Sequence, residues 1–270
     1  TRELSEEKKD MLTAMLSDIG FESFYEENRL YKAYIQRNNF KKTAFEYTMS
    51  EIEEILGKFD YTVVDVPAAN WNQTWENTFD SIRISDEILI KTSNSNNTET
   101  AKHTILINPR MAFGSGMHET TSLILQTMGN IGFDGKTVAD CGCGTGILAI
   151  FASMLGAKEI TAFDYDKCSV DNSIENIRLN NIHNISVFHS SFEIMENKKF
   201  DIVLANITRN ILVENMKQIS DSLNPDGILI ASGFYSDDIE VMQKKAESAG
   251  LTFVISQTKN NWSITTFIHK

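Results

Sequence analysis

Three stretches of the chain carry residue types that do chemistry when a fold brings them together. Residues 140–146 read DCGCGTG, with Gly142, Gly144 and Gly146 at alternate positions. They follow the apolar run Thr137-Val138-Ala139 and precede Ile147-Leu148-Ala149-Ile150-Phe151, the pattern of a strand, a tight turn and a helix start. A backbone without Cβ atoms approaches a ligand closely, and the free N–H groups of the following helix point at the same place. That suits a nucleotide-type cofactor, although such a turn also serves as a plain structural connection. About twenty residues further on, FDYD closes the next apolar run. An acidic residue at that strand tip accepts hydrogen bonds from both ribose hydroxyls of an adenosine cofactor, and we assign Asp164 to this role. Asp166, just ahead of a helical pattern, is assigned to capping that helix.

The second stretch, DIVLANI, ends a strand pattern at Asn206. Open α/β sheets bind ligands outside the carboxyl ends of their strands, so Asn206 is expected to face the reactive end of the cofactor. Hydride transfer has no particular need of an amide there. Methyl transfer does, because the amide oxygen accepts an N–H from an attacking amine and aims its lone pair; a turn-forming Asn is the plainer alternative. The third stretch, NPRMAFGSGMHETT over residues 108–121, combines glycines, hydroxyls and one histidine in a short span leading into a helix at 122–128. It reads as a binding loop, from which we take Phe113 and Thr121 as cofactor-contact candidates and His118 as a candidate base. For His118 an orienting or structural role stays open, and for Thr121 simple helix capping.

The elements that must position these residues follow from periodicity. From residue 137 onward, strand patterns at 137–140, 160–163, 185–189, 200–205 and 227–232 alternate with helical patterns at 148–155, 170–179 and 211–223, which implies a parallel sheet wound on both faces. After a helix at 238–249, the runs 251–257 and 262–268 are so close in sequence that they must form an antiparallel hairpin. Upstream, the polar stretch SNSNNTET at 93–100 reads as the turn of another hairpin, between 84–91 and 103–107. The first 66 residues show a helix at 5–20, strands at 21–26 and 30–36, a helix at 50–59 and a strand at 61–66. This order fits a small ferredoxin-like α+β domain lacking only an opening strand, which is expected ahead of Thr1. Between the two, Trp71, Trp75 and Phe79 recur at four-residue intervals and read as a packed interdomain segment. The expected organisation is therefore 1–66, a linker at 67–79, and an α/β domain over 80–270.

Composition narrows the partners. The 270 residues carry 25 basic and 37 acidic side chains, a net charge of −12, which argues against direct nucleic-acid binding and suits a basic protein, or simply solubility. Three cysteines, Cys141, Cys143 and Cys168, form neither a disulfide framework nor a zinc pattern, so no metal is expected. With no apolar run of membrane-spanning length and no signal-peptide pattern, a soluble cytoplasmic protein is expected, and a monomer because no long exposed apolar stripe is evident.

Together these pieces resemble the class I S-adenosylmethionine-dependent methyltransferases, and more closely the ribosomal protein methyltransferase PrmA family. The resemblance rests on WNQTWENTF, NPRMAFGSGMHETT, DCGCGTGILAI, FDYD and DIVLANI in that order, and spans nearly the whole chain. It implies that Thr121, Gly142, Asp164 and Asn206 contact S-adenosylmethionine. It also implies that a small N-terminal domain recognises protein eleven of the large ribosomal subunit, on which lysine or N-terminal amino groups are methylated. Ser115, Lys167 and Thr208 depart from the family's usual Thr, Pro and Leu, and none of them is one of these four positions. The competing readings are a methyltransferase for another protein or a small amine, a nicotinamide-dependent oxidoreductase, and a non-catalytic cofactor-binding module. An amide-methylating enzyme would place Pro-Pro-aromatic after the asparagine, where this chain has Ile207-Thr208-Arg209.

Overall fold

A computed structural model describes residues 6–21, 23–27, 30–37, 39–64, 81–108, 114, 116 and 118–270. The chain divides into two compact units, Thr1–Pro67 and Ala68–Lys270.

In the first unit, helices α1 (Glu6–Asp18) and α2 (Lys42–Leu56) accompany an antiparallel pair, β1 (Ser23–Glu27) and β2 (Leu30–Tyr34). Leu12 and Leu16 of α1 pack with Phe45, Met49 and Ile52 of α2 and with Phe21. Helix α2 begins eight residues before the expected 50–59 segment. Phe45, Met49, Ile52 and Leu56 recur at intervals of four, three and four, so the helical period already starts upstream of Ser50. Residues 61–64 form no strand; Tyr61, Val63 and Val64 are exposed, and no neighbouring strand among the described residues offers them a ladder.

The second unit opens with β3 (Ser81–Arg83), β4 (Ile88–Lys91) and β5 (His103–Leu106). Strand β4 pairs antiparallel with β3 but parallel with β5, so the expected hairpin across 84–107 is wrong. The polar segment runs back along the sheet instead of turning. Asn97 bonds Ser81 Oγ at 2.6 Å and Glu99 bonds Arg83 at 2.8 Å, so β5 enters in the same direction as β4.

The main sheet has the order β11-β12-β10-β9-β6-β7-β8. Its members are β6 (Thr137–Cys141), β7 (Glu159–Asp164), β8 (Ile185–His189), β9 (Phe200–Asn206), β10 (Leu223–Tyr235), β11 (Leu251–Lys259) and β12 (Trp262–His269). All neighbours from β8 to β10 are parallel, and β12 inserts antiparallel between β10 and β11 as the expected terminal hairpin. Side chains alternate between faces. Val138, Ile160, Ile202, Leu204 and Ile230 meet α3 (Glu119–Met128), α4 (Ile147–Met154) and α5 (Lys167–Leu179). Ala139, Phe163, Val203, Ala205 and Leu229 meet α6 (Arg209–Asp221) and α7 (Ile239–Ser248). Both faces are thus covered, which is why the strands read as nearly continuous apolar runs. Strand order reverses between β6 and β9, and the carboxyl ends of these two strands are where open α/β sheets bind ligands.

Candidate active site

The reversal point brings the first two chemical stretches side by side. In the register of β6 against β9, Cys141 lies opposite Ala205, so Gly142 and Asn206 leave neighbouring strands together. Gly142, Gly144 and Gly146 all hold positive φ, and α4 starts immediately after them. The turn is tied to β7, since Gly142 N and Cys143 N both donate to Phe163 O, at 2.9 and 3.0 Å. A Cβ on Gly142 would overlap Ile207 Cγ2, so the close approach of turn and β9 requires glycine there.

Asp164 ends β7 against this turn. Its Oδ2 accepts from Gly144 N at 3.0 Å and its Oδ1 from Asp166 N at 2.9 Å, and the side chain is buried. Each oxygen keeps a further acceptor position. Asp166 caps α5 as expected, accepting from Cys168 N and Ser169 N.

At the tip of β9, Asn206 Nδ2 donates to Thr121 Oγ1 at 3.4 Å, while its Oδ1 is buried and has no partner among the described residues. Thr121 is fully buried in the first turn of α3. The cap of α3 is His118, whose Nδ1 accepts from Thr120 N at 3.3 Å, so Thr121 is not the capping residue. Of the loop that precedes α3, Gly114 and Gly116 are described, and Gly114 O accepts from Thr145 Oγ1 at 2.7 Å, which ties the loop to the glycine turn. Phe113 lies outside the described residues, as does the Trp71–Trp75–Phe79 segment.

Three features escape the sequence reading. Asp140, the first residue of the glycine motif, is fully buried; Oδ2 accepts from Ala149 N at 3.0 Å and Oδ1 has no partner among the described residues. Burial raises its pKa to about 7, against the Ala149 bond that lowers it and with the Asp164 charge adding to the rise. Gly233 makes the second feature: a Cβ there would overlap the carbonyl of Ile207, and β10 carries a register shift between Ser232 and Phe234. A glycine inside the apolar run ILIASGFY is the signal that could have found it. The third is a row of asparagines on α5. Asn176 Oδ1 accepts from Asn108 N, and Asn180 both accepts from Leu106 N and donates to Leu106 O, so α5 satisfies the backbone just before the binding loop.

Comparison with known proteins places the whole arrangement. The family model described as ribosomal protein L11 methyltransferase (PrmA) matches residues 4–270. The chain belongs to this family. A ribosomal protein L11 methyltransferase of Phocaeicola vulgatus is 41% identical over 100% of this chain and 97% of its own length. One from Bacteroides fragilis is 42% identical over 99% and 96%. A crystal structure of ribosomal protein L11 methylase from Lactobacillus delbrueckii subsp. bulgaricus superposes with a TM-score of 0.66 at 29% identity, over 71% of this chain and 100% of that one. The PrmA family is a class I S-adenosylmethionine-dependent methyltransferase family. The chain's site suits that cofactor: a glycine turn at a helix N-terminus, a buried carboxylate with acceptor capacity, and an unpartnered amide oxygen converge on one crevice. Among the described residues no group of His, Cys, Asp and Glu could hold a metal, and no helix is long and apolar enough to cross a membrane.

Proposed function

We propose that this protein methylates amino groups, lysine side chains or the N-terminal α-amino group, of protein eleven of the large ribosomal subunit, with S-adenosylmethionine as donor. The observation that carries the reading is the buried, unpartnered Oδ1 of Asn206 at the sheet's reversal point. A buried acceptor with no donor is costly unless a ligand supplies one, and a neutral amine does so with an N–H. Thr121 holds the other end of the amide, so the oxygen keeps its aim. Asp164 receives the ribose hydroxyls, and Gly142, Gly144 and Gly146 let the backbone approach the cofactor. Phe113 belongs to the same cofactor-binding set.

The bound cofactor supplies an electrophilic methyl group on a sulfonium. What the protein must add is alignment, because an amine whose lone pair points at that carbon at near-contact distance reacts as if at very high effective concentration. Free lysine, with a pKa of about 10.4, must first lose a proton, and burial in the crevice favours the neutral form. His118 has its Nδ1 engaged in capping α3, which supports a reaction without an essential protein base. Residues 1–66 serve as the substrate-recognition domain, 67–79 as the linker and 80–270 as the catalytic domain, in a monomer acting in the cytoplasm where ribosomal proteins are made.

Titration calorimetry with S-adenosylmethionine and with NAD tests the cofactor half of this reading. Binding of S-adenosylmethionine alone is expected, weakened by about tenfold or more in Asp164→Ala. Binding of NAD without S-adenosylmethionine would overturn it.

A further inference from the structure

The terminal hairpin brings aromatic rings to the rim of this site that the reaction described so far does not use. Ser232 lies opposite Asn206 in the β9–β10 ladder, Tyr235 ends β10 three residues later, and Trp262 opens β12 directly opposite Tyr235. At about 3.3 Å per extended residue, Tyr235 stands ~10 Å along the strand from the level of Asn206. The Tyr235 and Trp262 ring centroids are 4.3 Å apart at 36°, and His118 meets Trp262 edge-on at 4.6 Å. His118 precedes Thr121, the partner of Asn206, by one helical turn, so the rings lead outward from the amide. Trp262 is partly buried, whereas Tyr235 is 51% exposed.

The rim carries charges of both signs, since Lys259 lies opposite Trp262 in the β11–β12 ladder and acts on the nearby Glu119 carboxyl. Glu119, next to His118, accepts from Asn260 Nδ2 at 3.2 Å, in the turn that leads into Trp262. Its own backbone N–H and the Asn260 amide hold its carboxyl below the usual range. Arg209, two residues beyond Ile207, is paired with Asp238 at 2.7 Å. An exposed aromatic face is the chemistry that recognises an organic ammonium.

We propose that Tyr235, backed by Trp262, receives the substrate's ammonium group before it loses its proton and enters beside Asn206. The inference rests on the amine-methylation reading above. A methylated amine leaving the site is again a cation, bulkier and more weakly hydrated, and the same ring retains it for a further transfer.

The test compares the full-length protein with Tyr235→Ala, Tyr235→Phe and Trp262→Ala, measuring steady-state methylation of protein eleven, mass-resolved products, and S-adenosylmethionine affinity by calorimetry. Tyr235 is exposed enough for its replacement to leave the fold intact. Tyr235→Ala is expected to raise KM for the protein substrate about tenfold and to shift products toward single methylation. Tyr235→Phe keeps the ring and stays near the unsubstituted values, Trp262→Ala falls in the direction of Tyr235→Ala, and cofactor affinity changes by no more than about twofold throughout. Unchanged KM and product distribution in Tyr235→Ala overturn the proposal, as does an equal loss in Tyr235→Phe. If the unsubstituted protein binds the cofactor but transfers no methyl to protein eleven, the amine-methylation reading falls and this proposal with it.

Discussion

Thr121 holds one end of the Asn206 amide, and in the function proposed above the buried Oδ1 at the other end receives the substrate amine. Asn206→Ala is expected to lower kcat about 100-fold or more with a smaller effect on cofactor affinity, measured by single-turnover methylation and calorimetry. His118→Ala should cost about 1 kcal/mol of stability as a lost cap and leave kcat within a few-fold. Abolished turnover with intact cofactor affinity would instead make His118 the base. Asp140 yields a stability prediction. In the folded chain it holds its proton up to about pH 7, whereas an unfolded aspartate releases it near pH 4. Between those values the folded state binds the extra proton, so stability declines as pH rises from about 4 to about 7 and levels off above. Relative to Asp140→Asn, thermal melts of the unsubstituted protein should lose several degrees across that window, and parallel curves would contradict this. Asp166 was legible as a cap because capping is local, set by the residue and the helix behind it. The burial of Asp140 was not, because it depends on what α4 and the rest of the sheet lay over the strand.

Among the elements, the parallel core was the most legible part, since long apolar runs alternating with helical periods admit few topologies. Strand pairing upstream was not: 84–91 and 103–107 look like hairpin arms, and only the bonds of Asn97 and Glu99 to β3 reveal that the connection runs back to make β5 parallel. Likewise, residues 61–64 have the composition of a strand but no neighbour among the described residues to make them one. Ile207 is clamped from two sides, because Gly142 arrives from β6 and Gly233 from β10, and neither motif shows the other. Gly233→Ala meets backbone at positive φ, and Gly142→Ala meets a side chain. We therefore expect Gly233→Ala to lower thermal stability and kcat more than Gly142→Ala, with both changes displacing Asn206; equal, negligible effects would refute the clamp. The asparagine row on α5 predicts that Asn180→Ala, which strands the backbone N–H and carbonyl of Leu106, costs about 1–3 kcal/mol in denaturant unfolding.

At the level of the whole molecule, a net charge of −12 accompanies a proposed substrate that is a basic protein. Long-range attraction between them is screened by salt, while contacts inside the crevice are screened far less. KM for protein eleven is therefore expected to rise several-fold between low salt and about 0.5 M, with little change in cofactor affinity; a salt-independent KM would remove charge steering from the account. Intact-mass spectrometry of ribosomal protein L11, incubated with S-adenosylmethionine and either this protein or its Asn206→Ala variant, decides whether the amide drives methyl transfer. Mass increments of whole methyl groups are expected with the unsubstituted protein and almost none with the variant. No increment despite bound cofactor, or equal increments from both, would contradict the proposed function.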